Sequence, residues 1–358
     1  MAQFIARRLL YSIPVLVGIL VITFSLARAI PGDPCLAVYG ERATPEKCEA
    51  LFARNGLDEP LPVQFVLYIR NMLEGDLGFS IRFSRPVTEL LAERLPTTVE
   101  LGTFALTFAI VVGIPLGIIS AYWHMSAVDV GTMIGANIGV SMPVFWLGLM
   151  LAYLFGVILR DTPFALPPSG RLTPGASPEP FYVIWGMITE GESPPGFLFF
   201  ISRINTLNAV LTLNVALLTD AMRHMILPAV TVGTIPLAII ARMTRSSMLE
   251  VLNLDYIRTA RSKGLRELYV VGKHATRNSL LPVVTVIGLN FGLVISGAVL
   301  TETIFGLTGV GRTMVESITA RDYSLVQGFT VIIAAGFVVI NMIVDILYGF
   351  LDPRIRYD

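Results

Sequence analysis

Residues Asn253 to Arg277 read NLDYIRTARSKGLRELYVVGKHATR, a basic, amphipathic stretch between two long apolar runs. Arg258, Arg261, Lys263, Arg266, Lys273 and Arg277 are set against only Asp255 and Glu267. Each such charge costs about 2.5–3.5 kcal/mol at a bilayer centre, so the stretch is a water-exposed connector. Its Lys/Arg excess assigns it to the cytoplasmic side. Leu254, Ile257 and Ala260 share one helical face, and Leu265, Leu268 and Tyr269 share another. Gly264 between them suits the left-handed residue that ends a helix. The spacing predicts a hairpin of two short helices. Its apolar stripe lies on headgroups, on its own bundle or against a soluble partner.

Working outward, the chain has 358 residues, of which 54% are hydrophobic and 15% charged. Soluble domains carry about 25% charged residues. With a mean hydropathy of +0.71, this composition specifies a polytopic membrane protein. Apolar runs place spans at Leu9–Ala27, Val99–Trp123, within Val130–Leu159, His224–Ala241, Ser279–Leu300 and Ser324–Phe350. The expected fold is all-α with six transmembrane helices. The first run exceeds a signal core and reads as an uncleaved anchor. Arg7 and Arg8 before it, and Arg354 and Arg356 at the other end, assign both termini to the cytoplasm. The expected division is 1–30 for the N-terminal tail and first span, 31–98 for an extracytoplasmic helical subdomain, and 99–358 for a core of five further spans. That core holds an outer loop at 160–223 and the cytoplasmic loop at 246–277.

In the outer subdomain, Thr44-Pro45 starts a helix that Asn55-Gly56 ends. Leu61, Phe65 and Ile69 mark a second helix, and Pro86 starts a third, short one. Arg28 is expected at the outer interface beside Asp33. Cys35 and Cys48 fall in this segment as a candidate disulfide or as two free thiols, with no histidine near enough in sequence for a zinc site. Ile204 to Leu218 reads as an amphipathic helix at the outer interface, because a span there would put the basic stretch outside. Gly113 and Gly117, then Gly131, Gly135 and Gly139, provide small residues for close helix packing. Ser141-Met142-Pro143 interrupts the third span with a bend, and Arg312 to Arg321 reads as a short helix after a glycine-rich re-entry.

The sequence contains no nucleophile or metal motif, and its three histidines are His124, His224 and His274. Gly272-Lys273-His274 lacks the earlier glycine and the hydroxyl of a phosphate loop. ATP and Mg2+ are therefore expected on another polypeptide, with no cofactor in this chain. Net charge is zero, which gives no basis for a nucleic-acid partner. Asp345 in the last span reads as a structural partner of Arg242 or Arg245. Its alternative is an ion-coupling group, with no second intramembrane acid for a relay. Asn137, Asn290 and Asn341 are expected to hydrogen-bond between helices or to line a passage.

Arg258-Thr259-Ala260 followed by Gly264 resembles the EAA-loop signature of ATP-binding-cassette importer permeases, with Arg258 where the general signature has Glu. The flanks resemble the dipeptide/oligopeptide branch. They include Arg242-Met243-Thr244-Arg245-Ser246-Ser247-Met248, Asp255-Tyr256-Ile257, Leu281-Pro282-Val283-Val284-Thr285, Ile30-Pro31-Gly32-Asp33-Pro34, Gly75-Asp76-Leu77-Gly78, Thr301-Glu302-Thr303-Ile304-Phe305 and Asp352-Pro353-Arg354. The resemblance implies a first span beside a five-helix core, a bacterial or archaeal inner-membrane location and no enzymatic activity. It implies a second, usually non-identical permease, two ATP-binding subunits and an extracytoplasmic substrate-binding protein as partners. Cargo in this branch also includes nickel chelates, haem and glutathione. On this resemblance the ATPase-coupling residues are Asp255, Arg258, Thr259, Ala260, Arg261, Lys263, Gly264, Leu265 and Leu268. An ion-coupled secondary carrier and an intramembrane hydrolase are the readings from other classes.

Overall fold

The computed structural model describes residues 2–29, 35, 39–40, 43–55, 58–188, 192 and 194–351. The Ile30-to-Pro34 motif with Asp33, the Gly56 helix stop, the segment from Asp352 to Arg356 and the side chain of Asp345 lie outside what is described.

In chain order the helices begin with α1 (Ala2–Ala29), α2 (Pro45–Asn55) and α3 (Leu61–Leu73). A two-stranded antiparallel ribbon, β1 (Phe79–Ser80) and β2 (Arg85–Pro86), precedes α4 (Val87–Tyr122). Then come α5 (Ala127–Ser141) and α6 (Val144–Tyr153), the latter continued by a wider π-type turn at Leu154–Ile158. Short helices α7 (Phe181–Ile184), α8 (Gly196–Ser202) and α9 (Asn205–Leu211) lead to the long α10 (Val215–Leu252). The series closes with α11 (Asp255–Ser262), α12 (Glu267–Tyr269), α13 (Thr276–Gly297), α14 (Val299–Ile304), α15 (Val310–Thr319) and α16 (Tyr323–Leu351). Among the described residues five helices are long and apolar enough to cross a membrane, and six spans result if α5 and α6 count as one. That pair bends by 102° at the predicted Ser141-Met142-Pro143 interruption, where Pro143 cannot donate to a continuing helix.

The chain divides into two compact units. One comprises Pro96–Leu307 with Val339–Asp358 and is built around α10. This helix buries residues along most of its length, from Leu217 to Val251. At 38 residues it is about 57 Å long, well beyond a hydrocarbon core of about 30 Å. Gly113 and Gly117 on α4 allow the close approach: a Cβ at Gly117 would stand 2.5 Å from Thr244 Cβ and 2.6 Å from the Ala241 carbonyl oxygen. The other proposed ridge is only partly used. Gly139 packs on Thr234, whereas Gly131 and Gly135 have nothing within 4 Å of a built Cβ.

Three expectations for the connections are corrected. The helix after Pro86 is not short, since α4 runs through Pro96 to Tyr122; proline is tolerated in membrane helices where neighbours satisfy the freed carbonyl. Residues 204–218 are not one amphipathic helix. Leu213 adopts a left-handed φ of 54°, and Asn214 then caps α10 by accepting a 3.0 Å hydrogen bond from the Leu217 amide. The fourth span thus begins nine residues before His224, at Val215. Asn208 in this segment is 1% exposed; its amide receives the Phe181 N–H at 2.8 Å and donates to the Glu179 carbonyl at 3.0 Å.

Asp345 is also not the sole acid in the spanning helices. Glu100 of α4 is 2% exposed. It accepts from Arg171 Nη2 at 2.6 Å and from the Thr206 amide and hydroxyl at 2.8 Å each. The proline-rich connection from 160 to 204 is thereby fastened to α4. Glu302 of α14 is buried as well, with the Thr98 hydroxyl donating to it at 2.6 Å.

The second unit, Ala2–Leu95 with Thr308–Val338, packs Leu77, Val87, Leu90, Val310, Leu325 and Phe329 into its own core. Buried Asp322 accepts from Ser80 Oγ and the Arg82 amide, and from the Leu325 amide in the first turn of α16. Arg28 stacks 3.7 Å over Phe24 and donates to Gln64 at 3.1 Å. Cys35 and Cys48 are joined in a disulfide with their Cα atoms 5.3 Å apart.

The close approach of α4 to α10 predicts opposite outcomes at two glycines. Gly117→Val should destabilise the detergent-solubilised protein by about 1–3 kcal/mol through overpacking, read as a lowered melting temperature. Gly131→Val should leave it unchanged.

Candidate functional site: the basic hairpin

The hairpin begins where α10 ends. Leu254 leads into α11 in extended conformation, and Asp255 occupies the first turn, where the helix dipole favours an acid. Thr259 Oγ1 donates back to the Asp255 carbonyl at 3.0 Å, and Arg258 lies 3.5 Å from the Asp255 carboxylate. The helix ends as the sequence requires. Gly264 has a φ of 74°, its N–H bonds the Arg261 carbonyl, and the Leu265 N–H reaches the Ala260 carbonyl. These two bonds form a Schellman termination, in which a left-handed residue satisfies the last carbonyls.

The second arm is not a separate short helix. α12 passes through a π-type turn, Val270–Ala275, directly into α13, so this arm is the base of the fifth span. Arg261 and Glu267 close the turn with a fork of 2.7 and 3.1 Å. The hydrogen bond to Glu267 pushes the Arg261 pKa up. Tyr256 braces the two arms: its hydroxyl accepts from Asn278 at 2.7 Å and donates to the His274 carbonyl at 3.4 Å.

The hairpin has two faces. Ile257, Ala260, Val270, Val271 and Ala275 pack inward on Ala121 at the end of α4 and on Met248 and Val251 of α10. The other face stays open. Leu254, Tyr256, Leu265 and Tyr269 are exposed, and Leu268 is 87% exposed. Asp255, Arg258, Thr259, Arg261, Lys263 and Gly264 are exposed beside them. So Ala260 faces the chain's own core, while Leu265 and Leu268 present apolar surface ringed by cations.

Directly behind the hairpin lies an ion pair that the sequence reading missed. Arg245 of α10 grips Asp129 of α5 through Nε and Nη2, both at 2.8 Å. Asp129 is 4% exposed. It also accepts from Ser120 Oγ and from the Met125 amide, and His124 Nδ1 lies 3.3 Å away. The cluster ties α4, α5 and α10 together. Ser126, three residues before Asp129, caps α5 by accepting from the Asp129 amide at 3.3 Å; this cap marks the helix start but not the ion pair. Among the described residues no group of three His, Cys, Asp or Glu side chains could hold a metal ion.

Comparisons with known proteins agree over the whole length. Residues 113–357 match the family "binding-protein-dependent transport system inner membrane component", and residues 1–102 match its N-terminal companion. A dipeptide transport system permease protein, DppB, from Alkalihalophilus pseudofirmus is 42% identical over 357 residues, covering all of both chains. The Escherichia coli K12 protein of that name is 43% identical over 365 residues, covering 100% of this chain and 99% of its own. A di/tripeptide transport system permease protein from Pseudomonas aeruginosa is 43% identical over 358 residues with the same coverage. Neither the secondary-carrier nor the hydrolase reading finds support among them. The chain belongs to the family of binding-protein-dependent transport system inner membrane components: it is a permease of an ABC importer, a transport subunit that works with ATPase and substrate-binding partners and is not an enzyme.

Proposed function

We propose that this chain is one of two non-identical permease subunits of an importer of dipeptides and short oligopeptides. The observation that carries the cargo is the full-length identity of 42–43% to permeases named for dipeptide transport. In this reading two ATPase subunits bind ATP and Mg2+, and an extracytoplasmic binding protein delivers the peptide. The basic hairpin and both termini lie on the cytoplasmic side. Residues 31–98 and the connection from 160 to 214, up to the start of α10, lie outside.

The hairpin is the coupling element. Leu265 and Leu268 enter a groove of the ATPase while Arg258, Arg261 and Lys263 supply rim charge. Asp255 and Thr259 hold the first turn, and Gly264 sets the reversal. Ala260 contributes from beneath, through its packing on Met248 and Val251. When ATP closes the ATPase pair, the hairpin moves with it. Because its inner face is packed on α4 and α10, the movement passes to those helices and rocks the core between inward- and outward-facing states.

Three outcomes follow. ATP-dependent uptake of a radiolabelled dipeptide by proteoliposomes of the complete complex should be blocked by vanadate and indifferent to a protonophore; protonophore-sensitive, vanadate-insensitive uptake contradicts this mechanism. Leu268→Arg should leave membrane insertion intact, since the side chain is 87% exposed. It should weaken ATPase association about 30-fold, the scale of a 2 kcal/mol hot spot, read by pull-down from solubilised membranes. Gly264→Pro removes the donor to Arg261 and imposes a φ near −65°; this variant should reach the membrane yet abolish uptake, and wild-type uptake would remove Gly264 from the coupling role.

A further inference from the structure

We propose that the groove between α5 and α10 is this chain's wall of the translocation pathway, and that Arg242 receives the carboxylate of the peptide in transit. The proposal rests on the peptide reading above for its ligand, and on the following geometry for its place.

The groove has a volume of about 530 Å3 and is lined by Asp129, Met133, Asn137, Ser141, Met142 and Arg245, together with the apolar Val130, Ile134 and Ile138. That volume lies within the range of about 300–1,000 Å3 that holds small ligands. Asp129, Met133, Asn137 and Ser141 recur every four residues and so share one face of α5. Three of these four are polar, and they run beside Val130, Ile134 and Ile138 in the same groove. The stripe ends at the 102° break between α5 and α6.

Arg242 stands at the edge of this stripe. It is exposed, within a helix apolar enough to span a bilayer. Its Nη1 donates to Asn137 Oδ1 at 3.1 Å. Arg245, one turn on, is neutralised by Asp129; Arg242 makes no ion pair among the described residues. Arginines within spans face a bundle interior or a water-filled cavity rather than hydrocarbon. The charge of Arg242 is a fixed positive site at the edge of the groove. A guanidinium fork matches a carboxylate with two parallel hydrogen bonds. A peptide zwitterion presents such a group, and no acid of the stripe is free to compete for Arg242.

The test uses the assembled complex of both permeases, the ATPases and the binding protein in nanodiscs. The native cysteines are paired and no free thiol is present among the described residues, so Asn137→Cys and Ser141→Cys introduce the reporters. Both should react with a charged, water-soluble methanethiosulfonate, and the rate should change between the nucleotide-free and vanadate-trapped states. Reaction only with a membrane-soluble maleimide would make the groove a lipid-facing surface. Protection in every state would make it a permease–permease contact, and either result overturns the proposal. Arg242→Gln should lower the preference for a free-carboxylate dipeptide over its C-terminal amide about tenfold, the scale of one charge-assisted hydrogen bond. Arg242→Lys should restore part of it. An unchanged preference in Arg242→Gln overturns the carboxylate assignment. If the wild-type complex moves no peptide, the cargo reading fails with that assignment, while the thiol rates still decide whether the groove is a pathway.

Discussion

The packing of Ile257, Ala260 and Val270 against Met248, Val251 and Ala121 is the contact on which the rest depends. A charged hairpin outside the hydrocarbon would otherwise hang from flexible ends. Here its inner face is a continuation of the core, so the hairpin is fixed on the two helices beneath it. Burying a residue such as Ile257 contributes about 1.5–3 kcal/mol. The fork between Arg261 and Glu267 is exposed and contributes less, on the order of 0.2–1 kcal/mol. Shape is fixed by the apolar face and the Schellman turn; the charges are left to face outward.

The same logic extends along α10. Gly117 and Gly113 let α4 approach its backbone, and the Asp129–Arg245 pair joins α5 to it at the hairpin end. A buried pair of this kind is weak evidence for stability, but losing one partner typically costs about 3–5 kcal/mol because the other charge is stranded. The pair thus limits how α5 and α10 can part. At the other end of α4, Glu100 holds the long connection through Arg171 and Thr206. Both ends of the α4 segment in this unit are therefore held by polar contacts, while its middle packs by apolar contact.

Much of this was legible in the residues. Hydropathy located the spanning helices, since a run of about 20 apolar residues has few other uses. Gly264 was readable as a helix stop because only glycine adopts its left-handed conformation without strain, and Met142-Pro143 was readable as a break. What escaped notice depends on partners far apart in sequence. Glu100 and Arg171 carry no mark of their pairing, and neither do Asp129 and Arg245. The start of α10 was missed because Leu213, an unusual residue for positive φ, makes the turn that a glycine would have advertised. The continuity of α12 with α13 was hidden by Gly272, which reads as a breaker but sits in a π-type turn that carries the helix onward. The apolar stripes were correct as patterns and only half correct as surfaces. Periodicity shows that residues share a face, not whether that face turns toward the core or away from it.

The coupling role is tested most directly by placing a photocrosslinking amino acid at position 268 of the hairpin and irradiating the assembled complex in native membranes. A mechanical link to the ATPase predicts a covalent adduct with the ATPase subunit, with a yield that changes between the nucleotide-free and vanadate-trapped states. Adducts formed only with lipid, or with the extracytoplasmic binding protein, would contradict it.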